Sequence, residues 1–86
     1  MTTSAETLTR PDGSPVRVLV VDDEQMLADL LASALRYEGW EVTTAGTGVA
    51  AVRAAREIEP DVIVLDIMLP DFDCLEVMRR IHGRQA

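Results

Sequence analysis

Two groups of acidic residues raise the question of what chemistry this chain can do. Asp22, Asp23 and Glu24 follow directly on the apolar run Val16–Val21 (VRVLVV), and Asp66 closes a second apolar run, Val62–Asp66 (VIVLD). Carboxylates gathered in one place repel one another unless protons or a cation intervene. Mg²⁺ is the natural candidate, because it takes hard oxygen ligands, keeps several waters and is commonly completed by a phosphate oxygen. A carboxylate beside such a cation can itself act as a nucleophile and form an aspartyl phosphate. Taken singly, each residue also has a structural role to play. Asp22 stands in capping-box spacing with Gln25, and Asp66 could simply be the polar end of a buried strand. Only their joint placement argues for a functional cluster, and that placement depends on the elements that carry them.

The elements follow from hydrophobic periodicity. Val16–Val21 is almost continuously apolar and β-branched, as a strand buried on both faces should be. From Gln25 to Tyr37, the residues Met26, Leu27, Leu30, Leu31, Ala34 and Leu35 form an apolar helical stripe, expected to face the core, and Gly39 is placed to stop that helix. Trp40–Ala45 (WEVTTA) is a second, more polar strand. An alanine-rich helix over Val49–Glu59 ends before Pro60. Val62–Asp66 is the third strand, and a last helix from about Leu75 to His82 presents Leu75, Met78 and Ile81 together.

Three strand–helix pairs in succession indicate an α/β fold with a parallel sheet, and right-handed crossovers restrict how they can be arranged. The most apolar strand belongs in the middle and the polar second strand at an edge. That gives a partial flavodoxin-like, doubly wound sheet with strand order 2-1-3. Ligands of open sheets bind beyond the carboxyl ends of the strands where the order reverses, here between the first and third strands. Asp22, Asp23 and Asp66 should converge on that crevice.

The composition sets outer bounds. The 86 residues are 48% hydrophobic and 27% charged, enough for one small globular domain and too apolar for a disordered chain. The first 15 residues, MTTSAETLTRPDGSP, are polar and turn-rich and read as a mobile leader, with the domain proper over 16–86. No apolar run approaches the ~20 residues of a membrane span and nothing resembles an export signal, so a soluble, cytoplasmic domain without membrane contact is expected. The formal net charge of −7 argues against direct nucleic-acid binding by this segment. A lone cysteine, Cys74, cannot form an internal disulfide, and all basic residues are arginine, with no lysine present.

VLVVDDE followed by VIVLDIMLPDFD closely resembles the receiver domain of bacterial two-component response regulators, especially those that regulate transcription. The resemblance runs from about Val16 to Ile81. It implies a phosphoacceptor rather than an enzyme: Asp66 receives a phosphoryl group from a phosphohistidine of a sensor histidine kinase. It also implies that Asp22 and Asp23 hold Mg²⁺, Asp23 more directly, with Asp66 at the same centre and the Met68 backbone carbonyl as a further ligand. A complete receiver of this family has five strand–helix units, of which three are expected here. The resemblance implies a Thr or Ser after a fourth strand and a Lys after a fifth, and this sequence holds no lysine. The third strand is then expected to present an exposed apolar edge able to pair with a second copy of the chain.

Other positions take structural readings. Cys74 stands where the family usually has Gly, a tolerated substitution rather than a redox centre. Asp73 and Glu76 have capping-box spacing for the last helix, Asp71 after Pro70 reads as a turn residue, and His82 suits a helix C-terminus. Two other functions compete. One is a non-switching interaction or dimerisation module that is not productively phosphorylated. The other is a dinucleotide-binding unit, because Gly46-Thr47-Gly48-Val49-Ala50-Ala51 matches G-x-G-x-x-A after a strand. Against the second stand the polarity of that strand and the unexplained Asp22 and Asp23.

Overall fold

A computed structural model of the chain describes residues 9–66, 71 and 74–83. The elements are β1 (Arg17–Val21), α1 (Gln25–Tyr37), β2 (Glu41–Ala45), α2 (Gly48–Ile58), β3 (Val62–Leu65) and α3 (Cys74–Gly83). All six expected elements form, in the expected order. The three strands make one parallel sheet in the order β2-β1-β3. α1 spans the expected Gln25–Tyr37, and the other elements depart from the periodicity reading by at most one residue at an end, as helix and strand ends commonly do.

The central position of β1 follows from its composition. Val18, Leu19, Val20 and Val21 are all buried, and alternate side chains enter opposite layers. Leu19 and Val21 join Ala45, Ala51, Ala55 and Val77 beneath α2 and α3, with Ile63, Leu65 and Ile81 packed at the margin. Val18 and Val20 join Ala28, Ala32 and Val42 beneath α1, with Leu35 and Trp40 alongside. The molecule is therefore layered as α1, sheet, and α2 with α3.

The face of α1 departs from expectation. Its buried residues are Ala28 and Ala32, while Met26, Leu27, Leu30 and Leu31 of the apolar stripe are exposed. Only Leu35 of that stripe packs against the α1-side cluster. Two alanines one turn apart let the helix backbone settle close over Val18, Val20 and Val42, and the bulkier leucines fall to the flank and outside. On the same side of the sheet, Val62 and Val64 of β3 remain exposed. They pair in register with Val18 and Val20, while α1 packs chiefly over β1 and β2.

Helix ends show local chemistry. α1 closes in a Schellman arrangement, with Gly39 N–H donating to Arg36 O (2.9 Å) and Trp40 N–H to Leu35 O (3.3 Å). Gly39 has φ 97°, a left-handed conformation that a β-carbon would strain. α2 opens on Thr47, whose Oγ1 accepts from Ala50 N–H (3.1 Å), and ends on Glu59 in the left-handed region at φ 49°.

At the amino end of the sheet, Asp61 is the organising residue. Its Oδ2 accepts from Arg17 N–H (2.9 Å) and lies 3.3 Å from Arg10 Nε. Residues 9–15, at the end of the expected leader, form a turn bridged between Thr9 and Pro15. Asp12 Oδ1 accepts from both the amide (2.9 Å) and hydroxyl (2.6 Å) of Ser14. Those bonds, the hydroxyl's first, hold the Asp12 carboxyl below its ordinary value of 3.8. Among the described residues, no helix is long and apolar enough to cross a membrane.

Candidate metal centre

The sheet register builds the site. Val21 pairs with Ala45 on one side and with Leu65 on the other. The ladder then runs one step further at each seam: Asp22 N–H donates to Ala45 O (3.0 Å) and Asp66 N–H to Val21 O (2.8 Å). The first residue beyond β1 and the first beyond β3 thus stand side by side. Asp23 follows at once on the chain turning into α1. One carboxylate oxygen from each of Asp22, Asp23 and Asp66 lies within 4.8 Å of the other two. Asp22 and Asp66 are half-buried and Asp23 is exposed.

This donor set fits a small hard cation. Metal–oxygen bonds of ~2.1 Å in an octahedron place ligand oxygens roughly 3 to 4.2 Å apart, so a minor side-chain rotation closes the cluster around Mg²⁺. Three carboxylates supply the negative charge, and the exposure of Asp23 leaves room for water or a phosphate oxygen in the remaining positions. Met68, the further ligand suggested by the sequence, lies outside the described residues.

The alternative role of Asp22 as a helix cap does not materialise. The cap position of α1 is Glu24, with no side-chain hydrogen bond to the helix, and Gln25 Nε2 donates to Asp29 Oδ1 (2.9 Å). Asp22 Oδ1 accepts instead from Glu24 N–H at 2.9 Å, folding the Asp22–Glu24 turn and leaving the other oxygen for a cation.

Asp71 carries more than the turn it was expected to form. Its Oδ1 accepts from Gly48 N–H at 2.7 Å and its Oδ2 from Val49 N–H at 3.0 Å. A carboxylate thereby sits on the positive end of α2, where helix geometry leaves amides without internal partners. Sequence spacing gave no hint of this, because the partners lie more than twenty residues earlier on a different element. The contact also bears on the glycine motif. With Gly48 and Val49 given to Asp71, and Ala50 to Thr47, the first turn of α2 has no amide left for a dinucleotide phosphate. The strand carrying the motif, β2, is moreover at the sheet edge.

The remaining candidates are quickly placed. Both Glu76 oxygens are engaged, with Arg79 Nη1 at 2.8 Å and Arg80 Nε at 2.7 Å. Its proposed capping partner Asp73 lies outside the described residues, as do the side chains of Cys74 and His82.

Comparison with known proteins identifies the family and the fold. The family profile described as "Response regulator receiver domain" matches residues 18–86. The "Probable transcriptional regulatory protein TcrX" of Mycobacterium tuberculosis is 57% identical over 74 residues, which cover 86% of this chain and 32% of that protein. The "DNA-binding response regulator MtrA" of the same species is 44% identical over 67 residues, covering 78% of this chain and 29% of its own. Among solved structures, the chemotaxis protein CheY4 of Vibrio cholerae superposes with a TM-score of 0.80 at 28% identity, over 84% of this chain and 60% of that one. The response regulator TrrA of Thermotoga maritima, solved in complex with Mg²⁺ and BeF, gives a TM-score of 0.74 at 37% identity, over 81% and 61%. The chain thus spans about a third of the length of the curated relatives it matches. By sequence and by fold, it belongs to the receiver domain family of two-component response regulators.

Proposed function

We propose that this domain is the phosphoacceptor of a two-component phosphorelay in the cytoplasm. In this reading Asp66 is the residue phosphorylated by a sensor histidine kinase, and Asp22, Asp23 and Asp66 hold Mg²⁺. The observation that supports it most directly is the approach of the three carboxylate oxygens to within 4.8 Å at the carboxyl ends of β1 and β3. The Mg²⁺-bound relative adds support, since that protein shares the fold at 37% sequence identity.

The chemistry is an in-line displacement. An oxygen of Asp66 attacks phosphorus, the bond from phosphorus to the kinase imidazole nitrogen breaks, and that nitrogen keeps the electron pair. Such transfers rely on positioning and charge neutralisation more than on covalent help from the protein. The bound cation would supply that neutralisation, lowering repulsion between the carboxylates and the incoming phosphoryl oxygens. The Asp66 N–H bond to Val21 O seats its backbone beside that of Asp22. Asp22, braced by Glu24 N–H, would hold the cation together with exposed Asp23 and with Asp66.

The relatives' names suggest that the parent protein regulates transcription, with the acidic domain as its signal input and not its DNA contact. A second copy of the chain is a further proposed partner, supported by the exposed Val62 and Val64 on edge strand β3. If pairing is the whole activity, the domain is an interaction module that need not be phosphorylated.

Acetyl phosphate with Mg²⁺, read by intact-protein mass spectrometry, separates these readings. One added phosphoryl group is expected, lost with EDTA and lost in Asp66→Asn. An unmodified wild type would favour the interaction module, and modification surviving in Asp66→Asn would move the acceptor elsewhere.

A further inference from the structure

The clasp made by Asp71 closes a circuit around the acidic centre. Starting from Asp22, the backbone bond to Ala45 O leads to the end of β2 (3.0 Å). The chain continues through Gly46, where a β-carbon would meet the Asp22 carbonyl oxygen at 4.0 Å, to the first turn of α2. There Gly48 and Val49 N–H donate to Asp71 at 2.7 and 3.0 Å. Asp71 lies a few residues downstream of Asp66, and Asp66 N–H returns to Val21 O beside Asp22 (2.8 Å). Every link but one is backbone. The exception is the Asp71 carboxylate.

We propose that Asp71 is a positioning residue for the cation centre, locking the Asp66 arm against the Asp22–Asp23 arm through the amino end of α2. The inference rests on the metal reading above and adds a residue that touches neither the cation nor the phosphoryl group. Its physical basis is preorganisation. The carboxylates must be held at metal-ligand separation against their mutual repulsion, and a tether beyond Asp66 restricts how far that arm can swing away. A charge-assisted bond at a helix N-terminus is stronger than a neutral one, which suits it to that task.

A purely structural account makes a different forecast. If Asp71 merely caps α2, then Thr47, which caps the same turn through Ala50 N–H, should be interchangeable with it. Thr47 bonds only within its own helix start and makes no bridge to the β3 side. The two residues therefore separate helix capping from positioning.

The experiment is calorimetric titration of the metal-free full chain with Mg²⁺, for wild type, Asp71→Ala, Asp71→Asn and Thr47→Ala, with circular dichroism to confirm folding. Asp71→Ala is expected to weaken Mg²⁺ binding by about tenfold, the lower end for residues supporting metal ligands. Asp71→Asn, which keeps one oxygen acceptor, should recover part of that loss, and Thr47→Ala should stay within about twofold of wild type. Equal losses in Thr47→Ala and Asp71→Ala, or no loss in Asp71→Ala, overturn the inference while leaving the metal reading intact. A wild type that binds no Mg²⁺ overturns the metal reading and this inference together. Should Asp71→Ala not fold, Asp71→Asn against Thr47→Ala carries the same comparison.

Discussion

At the scale of single residues, the centre gathers three carboxylates whose like charges a bound cation would offset. Asp23 is the exposed member of a carboxylate trio whose oxygens lie within 4.8 Å of one another, and among the described residues it makes no hydrogen bond comparable to that of Asp22 with Glu24. Removing its charge should therefore relieve repulsion at little structural cost. Asp23→Asn is expected to stabilise the metal-free protein by about 0.5 kcal/mol, the scale of exposed charge pairs. If Mg²⁺ binds as proposed, at a hundredfold over its Kd the wild type would gain about 2.7 kcal/mol by mass action that the variant would lack. The order of stability should reverse between the two conditions, as urea unfolding with and without Mg²⁺ can show. A variant less stable in both would mean that Asp23 has a structural role. The trio was legible in the sequence because a parallel sheet aligns the ends of its strands, so acids ending two adjacent strands must meet. Asp71 was not legible, because its partners are backbone amides, which leave no signature in side-chain type or spacing.

At the scale of elements, α1 shows where hydrophobic pattern and packing diverge. The leucine-rich stripe looked like the buried face, yet Ala28 and Ala32 take that place and Leu30 is 69% exposed. Periodicity measures how apolar an arc is, whereas seating depends on how closely the helix backbone can approach the strand beneath it. Ala32→Leu, which thickens the contact against Val18 and Val20, should cost about 1–3 kcal/mol. Leu30→Lys should change stability by less than about 0.5 kcal/mol. Thermal melts of the two variants test the assignment, and the reverse ranking would restore the stripe to the core. The ends of α1 and α2 were readable because Gly39 supplies the left-handed turn after the first and Pro60 follows the second, whereas the Thr47 cap of α2 emerged only in the structure.

At the scale of the whole molecule, the two faces of the sheet are unequally covered. α2 and α3 shelter Ile63 and Leu65, but Val62 and Val64 on the opposite face remain 42% and 38% exposed at an edge strand. An apolar edge of this kind invites pairing with another chain. Sedimentation velocity should show concentration-dependent association of the 86-residue chain, reduced in Val64→Lys, with the circular dichroism spectrum unchanged. A single monomeric species across the micromolar range would remove the proposed self-pairing. The strand order itself was legible, since the most apolar strand had to be central and the crossovers right-handed. The uneven cover was only half legible: the apolar edge could be foreseen, the short reach of α1 could not.

Trp40 has a practical consequence. The only tryptophan of the chain packs against the α1-side cluster, directly before Glu41, which pairs with Arg17 at the start of β1. The acidic centre lies past the other end of that strand, roughly 20 Å away at ~3.3 Å per residue. Indole emission should thus follow the docking of α1 on the sheet and stay unchanged while a cation fills the far pole. Such a probe would report folding and not occupancy, so unchanged emission in a variant that no longer takes up Mg²⁺ would show that the variant had kept its shape.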